Sequence, residues 1–129
     1  MSLCEIFGGR FGDDLILYRA ISQMDPDEMA NNVKKYKKMG YTKFQLKVGG
    51  NANEDIERIK LVSNILDEKD TLIADANTGW LMHDAMRVVK SVENLDVYIE
   101  QPCLSYQECK AIRKSTSNPF ILDLSLIHI

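Results

Sequence analysis

Four residues whose side chains could do acid–base or metal chemistry each close a short apolar run. They are Lys47, Asp75, Glu100 and Asp123. Each carboxylate follows the preceding residue of this set by one repeat of strand and helix. Three carboxylates brought together can bind a hard divalent cation such as Mg²⁺, because oxygen ligands suit that ion and the cation relieves their mutual repulsion. Lys47 could act as a base beside them if a nearby positive charge favoured its neutral form. The predicted chemistry is removal of a proton next to a substrate carboxylate, which could itself join the shell of the ion.

The apolar runs that end in these residues are predicted to be parallel β-strands. Each run except the last is followed by a segment with helical periodicity, and the runs recur at the length of one strand, one helix and two short loops. Such a rhythm is typical of parallel strands joined by helical crossovers. The predicted strands are residues 15–21, 43–48, 71–76, 97–100 and 120–123.

Local signals define the ends of two predicted helices. Asp25 followed by Pro26 is typical of a helix N-terminus, and Gly40 supplies a stop. Ser105 and Glu108 have the spacing of a capping box, which opens the last predicted helix.

The helix predicted after the second strand has an apolar stripe at three- and four-residue steps. Its charged residues, Arg58 among them, are expected largely outside that stripe. Gly49 and Gly50 precede this helix and indicate a turn, since no phosphate-loop pattern surrounds them. Trp80 is expected to pack at the start of the next helix. The stripe consists of Ile56, Ile59, Val62, Ile65 and Leu66.

Two architectures fit four βα units and a fifth strand: a doubly wound open sheet, or the first part of an eight-stranded barrel. An open sheet has one crevice at its switch point, whereas a barrel gathers several strand ends around one centre. Functional side chains here close several strands, so the sequence favours an α/β fold of the partial (β/α)₈ TIM-barrel type. The rival from another class is a small open-sheet binding or signalling domain with Asp75 as an acidic-site residue.

Composition excludes several functional classes. The 129 residues carry a formal charge of −3 and include no long basic block, which argues against nucleic acid as a partner. No apolar run has the length of a membrane span, and the N-terminus lacks the pattern of a secretory signal, so we expect a cytoplasmic protein without a membrane partner. Three cysteines without a CxxC pair suggest neither a disulfide frame nor a zinc site.

Three segments, KFQLKVGG, ADANTGW and YIEQPC, resemble the enolase superfamily in their order and spacing, specifically its mandelate racemase and muconate lactonizing branch. The resemblance implies that Lys47 is a general base and that Asp75, Glu100 and Asp123 hold Mg²⁺. It also places Asn77 near a small carboxylate substrate. Gln45 stands where the family often has a lysine that contacts this substrate.

Within that branch, the segments LYRAISQ, FQLKVGG, DANTGW and EQPC look like those of dehydratases and epimerases that act on hydroxyproline and related proline derivatives. In such a dehydratase the base takes the α-proton and a hydroxyl group leaves. The resemblance further implies an enzyme that forms homo-oligomers.

Members of this family have a capping domain and eight barrel strands, which sets the expected domain organisation. Residues 1–12 resemble the tail of the capping segment and residues 13–123 the N-terminal half of the barrel. Residues 124–129 are predicted to be a non-native tail, because the family continues with an acidic residue after Asp123. A half barrel leaves two edge strands unpaired, so we expect the chain alone to be poorly stable and inactive. A noncatalytic remnant that completes a barrel with another chain is a further possibility.

Overall fold

Five parallel strands form one sheet within residues 1–124, the part of the chain that the computed structural model describes. Helices follow the first four strands, and a short helix precedes the sheet. The strands are β1 (Arg19–Ile21), β2 (Lys43–Lys47), β3 (Thr71–Asp75), β4 (Tyr98–Glu100) and β5 (Phe120–Ile121). The helices are α1 (Leu3–Ile6), α2 (Pro26–Lys38), α3 (Ala52–Ser63), α4 (Met82–Ser91) and α5 (Tyr106–Arg113).

The order of the strands in the sheet is the order of the strands in the chain, β1-β2-β3-β4-β5. A doubly wound sheet reverses its strand order at a switch point, and this sheet does not. Winding in one direction is how successive βα units build a barrel. The prediction of an α/β fold with four βα units and a fifth strand is therefore confirmed, and the doubly wound alternative is wrong.

The two faces of the sheet differ because side chains alternate along a strand. One face is apolar and packs against the helices: Phe44, Leu46 and Ala74 are fully buried there together with Val33 and Ile59. Full burial of each large aliphatic side chain contributes roughly 2 kcal/mol of transfer free energy. The opposite face carries the polar residues of β2, β3 and β4, so the helix layer fixes the strands that present the candidate site.

The first and last strands are shorter than the sequence predicts. β1 begins at Arg19 rather than at residue 15. Arg19 pairs with Phe44 and β2 itself begins at Lys43, so residues 15–17 have no partner in β2. Residues 15–18 are exposed. β5 ends at Ile121 rather than at residue 123, since its pairing with β4 stops where β4 stops, at Glu100.

The predicted helix ends agree with the structure in position. Asp25 is the N-cap residue of α2 and Pro26 is its first residue, although the Asp25 side chain makes no capping hydrogen bond. Gly40 follows α2 with φ of 96°, a backbone conformation that favours glycine. Ser105 and Glu108 form the predicted capping box at α5.

No helix in residues 1–124 combines the length and the apolar character needed to cross a membrane. The predicted non-native tail, residues 124–129, lies outside the described residues except for Leu124. The assignment of residues 1–12 to a capping segment and of 13–123 to a half barrel stays a prediction.

Candidate active site

Strand register brings three of the predicted site residues into one row. Lys47 pairs with Asp75, and Asp75 pairs with Glu100, each being the last residue of its strand. Parallel strands that end in register present their terminal side chains at the same edge of the sheet. The row crosses β2, β3 and β4, which are the three central strands of the sheet.

Gln45 lies beneath this row and joins its two carboxylates. Two residues before Lys47, it occupies the same face of β2. Its amide Nε2 donates to Asp75 Oδ2 at 3.1 Å and to Glu100 Oε2 at 2.7 Å. Lys47 Nζ donates to the same Asp75 oxygen at 2.5 Å. The Gln45 amide and the Lys47 ammonium group are therefore the donors of this site, and the two buried carboxylates are its acceptors.

Glu100 is the carboxylate that its surroundings compensate least. Glu100 is 8% exposed, and its carboxylate accepts a hydrogen bond from Gln45. Burial raises the pKa of the Glu100 carboxyl above its ordinary value; the Gln45 hydrogen bond opposes this shift, and the negative charges of Asp75 and Asp123 reinforce it. The site therefore holds more negative charge than its own donors neutralise.

Asp123 lies apart from the paired row. It is exposed and stands two residues beyond the end of β5, so strand pairing does not fix it as it fixes Asp75 and Glu100. Its backbone N–H donates to Gln101 Oε1 at 3.2 Å, and its carboxylate accepts from the N–H of Leu124 at 2.6 Å. The prediction that Asp123 closes the fifth strand is wrong, because β5 ends at Ile121. Its role as a metal ligand stays a prediction.

The loop after β3 holds Asn77 at the edge of the site. Asn77 has φ of 46° and Thr78 has φ of 68°, both in the left-handed region that residues other than glycine seldom adopt. The N–H of Asn77 donates to Asp75 Oδ1 at 3.0 Å, while its side chain is exposed. The backbone thus turns back on the Asp75 carboxylate and leaves the Asn77 amide open to a ligand. Unusual backbone conformations of this kind cluster at functional sites.

The chemistry of the buried donor set fits a hard cation. Asp75 and Glu100 offer carboxylate oxygens on neighbouring strands, and a cation between them would favour the ionised form of Glu100, whose pKa is raised mainly by burial and further by the charge of Asp75. Within residues 1–124, no group of three or more histidine, cysteine, aspartate or glutamate side chains is close enough to hold a metal ion. Two carboxylates are therefore paired at neighbouring strand ends, and Asp123 is near enough for its charge to act on Glu100.

Sequence reasoning missed a buried polar cluster behind the site, formed by Asp55, Arg58 and Trp80. Arg58 was predicted to lie outside the apolar stripe of its helix, but it is 5% exposed and donates to Asp55. Trp80 is buried as predicted, and its indole N–H also donates to Asp55, at 2.8 Å. The spacing of Asp55 and Arg58, one helical turn apart, was a signal for a pair but not for its burial.

Gln101 was also missed as a structural residue, although it lies in the YIEQPC segment. It is fully buried, has φ of 40°, and accepts from the N–H of Thr78 through its backbone carbonyl at 2.9 Å. Its N–H donates to the carbonyl of Ile121 at 2.9 Å, and its side chain reaches Asp123. Gln101 therefore connects the ends of β3, β4 and β5.

Comparison with known proteins gives a family match over most of the chain. The family model described as enolase C-terminal domain-like matches residues 28–128. Among curated proteins, the chain is 56% identical over 121 residues to a cis-3-hydroxy-L-proline dehydratase from Roseibium aggregatum. That alignment covers 94% of this chain and 33% of the dehydratase, so the chain spans about a third of the length of this relative.

Solved structures give the same result. A mandelate racemase/muconate lactonizing enzyme from Roseovarius nubinhibens superposes with a TM-score of 0.84 at 34% identity, covering 95% of this chain and 34% of that one. A member of the enolase superfamily from the same organism, complexed with magnesium, superposes with a TM-score of 0.86 at 30% identity, covering 96% and 34% of the two chains.

Proposed function

This chain belongs to the enolase C-terminal domain-like family, and we propose that it is part of a magnesium-dependent enzyme that removes the proton α to a substrate carboxylate. The alignment of Lys47, Asp75 and Glu100 along one edge of the sheet is the observation that carries this proposal. It sets an amine beside two buried carboxylates, which supports a base and a metal site acting on one substrate.

We propose that Asp75, Glu100 and Asp123 hold Mg²⁺. The donor set favours a hard cation, and a structural relative was solved as a complex with magnesium. The bound ion would stabilise the negative charge that develops on the substrate carboxylate when the α-carbon loses its proton.

Lys47 is the proposed base. Its Nζ would take the α-proton, and the electron pair left on carbon would delocalise into the substrate carboxylate. In this structure Nζ donates to Asp75 Oδ2, which fixes the position of the amine. Gln45 and Asn77 are proposed to orient the substrate. Gln45 would do so with an uncharged amide whose position its bonds to Asp75 and Glu100 determine.

We propose dehydration as the overall reaction, with a 3-hydroxyproline as the substrate. The 56% identity to a cis-3-hydroxy-L-proline dehydratase supports it. After loss of the α-proton, the hydroxyl on the neighbouring carbon would leave as water once it has gained a proton. Racemisation or epimerisation begins with the same step and differs in returning a proton to the α-carbon, so the fate of the hydroxyl separates the two reactions.

Calorimetric titration of the 129-residue chain with Mg²⁺ tests the metal site. Asp75→Asn and Glu100→Gln are each expected to weaken binding at least tenfold, because each removes one charged ligand. The matched control is Asp96→Asn, since Asp96 is exposed and precedes β4 at the opposite edge of the sheet. Equal affinity for the native chain and the two ligand variants would contradict the proposed site.

A chimera tests the reaction. The aligned segment of the Roseibium aggregatum dehydratase would be replaced by this chain, and turnover of cis-3-hydroxy-L-proline would be followed in D₂O. We expect loss of water in the chimera, and we expect Lys47→Met to lower kcat by about a hundredfold or more. Deuterium incorporation at the α-carbon with retention of the hydroxyl would indicate epimerisation instead.

A further inference from the structure

Asp55 is a fully buried carboxylate that connects the loops after β2 and β3. Among the described residues it makes no side-chain hydrogen bond to Lys47 or Asp75. It lies in the first turn of α3. Its Oδ2 accepts from the N–H of Gly49 at 3.0 Å and from the N–H of Gly50 at 2.9 Å, both in the loop after β2. The same oxygen accepts from Trp80 Nε1 at 2.8 Å, in the loop after β3.

Arg58 completes the attachment on the other side of Asp55. Its NH1 donates to Asp55 Oδ1 at 2.8 Å, and its Nε donates to the carbonyl of Met24 at 2.8 Å. Met24 lies in the loop after β1. The Asp55–Arg58 pair therefore joins the loops after three successive strands, all at the edge of the sheet that carries the candidate site. A pair needed only to hold α3 would not require hydrogen bonds with each of these loops.

The loops after β2 and β3 also meet backbone to backbone, so displacement of one would displace the other. A Cβ atom at Gly49 would lie 2.2 Å from the carbonyl oxygen of Ala76, and a Cβ at Gly79 would lie 2.2 Å from the carbonyl oxygen of Gly49. No side chain fits at either position. Asn77 lies in the stretch between Ala76 and Gly79, and Lys47 lies two residues before Gly49.

We propose that Asp55 is a positioning residue for the candidate active site. By binding the N–H groups of Gly49 and Gly50 and the indole of Trp80 with one oxygen atom, it fixes the loops that follow Lys47 and Asp75 relative to each other, and so supports the strand ends that carry them. Within residues 1–124 its side chain makes no hydrogen bond to Lys47, Asp75 or Glu100. Its functional consequence rests on the proposed function, whereas its effect on the loops does not.

The test compares Asp55→Asn with Asp70→Asn in the 129-residue chain. Both residues are buried aspartates that bond a cationic side chain, but Asp70 precedes β3 at the opposite edge of the sheet. Backbone amide resonances report the geometry, and the one tryptophan gives a single indole N–H signal that reports the Trp80 bond. Mg²⁺ affinity, measured by calorimetry on the folded variants, reports the site.

We expect Asp55→Asn to shift the amide resonances of Lys47, Asp75 and Asn77 and to weaken Mg²⁺ binding about tenfold, as loss of an outer support of a metal site does. Asp70→Asn is expected to change the Mg²⁺ affinity by less than twofold and to shift only the amide resonances of residues around Asp70. Equal effects of the two variants would show that Asp55 acts on stability alone and would overturn the inference.

The inference can still be tested if the chain binds no Mg²⁺ or if Asp55→Asn does not fold. If the native chain binds no Mg²⁺, the metal part of the proposed function fails, and the amide resonances alone decide whether Asp55 positions the strand ends. Trp80→Phe is the milder variant for a chain that does not tolerate Asp55→Asn, because it removes a single donor. It is expected to shift the amides of Gly49, Gly50 and Asn77, and unchanged resonances would count against the inference.

Discussion

A lysine donates to a buried aspartate at both edges of the sheet, but the two pairs lie in different electrostatic surroundings. At the amino edge, Lys37 of α2 donates to Asp70, to Asp67 at 2.9 Å and to the carbonyl of Ile65 at 3.3 Å. The hydrogen bonds that Lys37 donates to Asp70 and then to Asp67 raise the pKa of Lys37, and the bond to Lys37 lowers the pKa of the Asp67 carboxyl. Charged groups at this edge favour their ionised forms.

The carboxyl edge has the opposite character. Lys47 contacts Asp75 but makes no hydrogen bond to Glu100 among the described residues, and burial raises the pKa of Glu100. At the amino edge, hydrogen bonds with Lys37 favour the ionised groups, whereas at the carboxyl edge burial disfavours the ionised form of Glu100. The comparison shows that the same pair of residue types lies in opposite electrostatic surroundings at the two edges of one sheet.

Removal of Lys37 is expected to have the largest effect on stability. Asp70 Oδ1 is buried and has no hydrogen-bond partner within residues 1–124, so the Lys37 ammonium is the main compensation for the Asp70 charge. Lys37→Met should lower the free energy of unfolding by about 3 kcal/mol, because it leaves a buried charge without its partner. Lys38→Met, an exposed neighbour in the same turn, is the control. Equal urea midpoints for the two variants would contradict the comparison.

Gly79→Ala should disturb the carboxyl edge alone. The added methyl group would lie 2.2 Å from the carbonyl oxygen of Gly49, so the two loops must separate, at a cost of about 2 kcal/mol. Gly12→Ala is the matched control, since its nearest contact would be an ordinary 3.8 Å. Urea unfolding measures both variants. A neutral Gly79→Ala would show that the loop contact is not close in solution.

Glu100→Gln is expected to stabilise the chain by about 1 kcal/mol, in contrast to Lys37→Met. The variant removes a buried charge whose raised pKa shows that the fold disfavours its ionised form, and sites retained for binding often reduce stability in this way. Glu57→Gln, at an exposed position of α3, serves as the control. A destabilised Glu100→Gln would mean that Gln45 already compensates the Glu100 charge fully.

The smallest expected effect is a difference in pH dependence between the two edges. The folded chain binds the Glu100 proton more tightly than the unfolded chain, so stability should fall as the pH rises from the ordinary glutamate value of 4.5 through the raised folded pKa. Asp67 has a lowered pKa, so its contribution is present above the ordinary value of 3.8 and is lost as the pH falls through the folded pKa. The measurement is the unfolding temperature as a function of pH. Glu100→Gln should remove the fall in stability with rising pH, and Asp67→Asn should remove the fall with decreasing pH. Identical profiles for these variants and the native chain would refute both assignments.

The central strands and their terminal side chains could be predicted from the sequence, because each apolar run ends at a polar residue and parallel pairing brings such ends together. Lys47, Asp75 and Glu100 lie in one row for this reason. The end of β5 could not be predicted, because apolar residues continue past Ile121 while the paired strand β4 has already ended. The apolar pattern of a segment predicts how long that segment is, but not where the strand that pairs with it ends.

The cluster behind the site was beyond sequence reasoning for a different reason. Asp55 and Arg58 occupy positions of α3 that charged residues usually expose to solvent, but here both are buried, and the loop containing Trp80 returns to contact Asp55. That contact joins residues 25 positions apart in the chain. Amphipathic periodicity describes the helix itself, so it cannot report what a later segment places over it.

The agreement between strand order and chain order has a consequence for biosynthesis. A ribosome releases β2 before β3 and β3 before β4, and each new strand pairs with the one made just before it. Lys47 is therefore available when Asp75 emerges, and both are present with Gln45 when Glu100 arrives. Translation thus supplies the basic group and the amide first, and the nascent chain never has to gather its acidic groups before their donors exist.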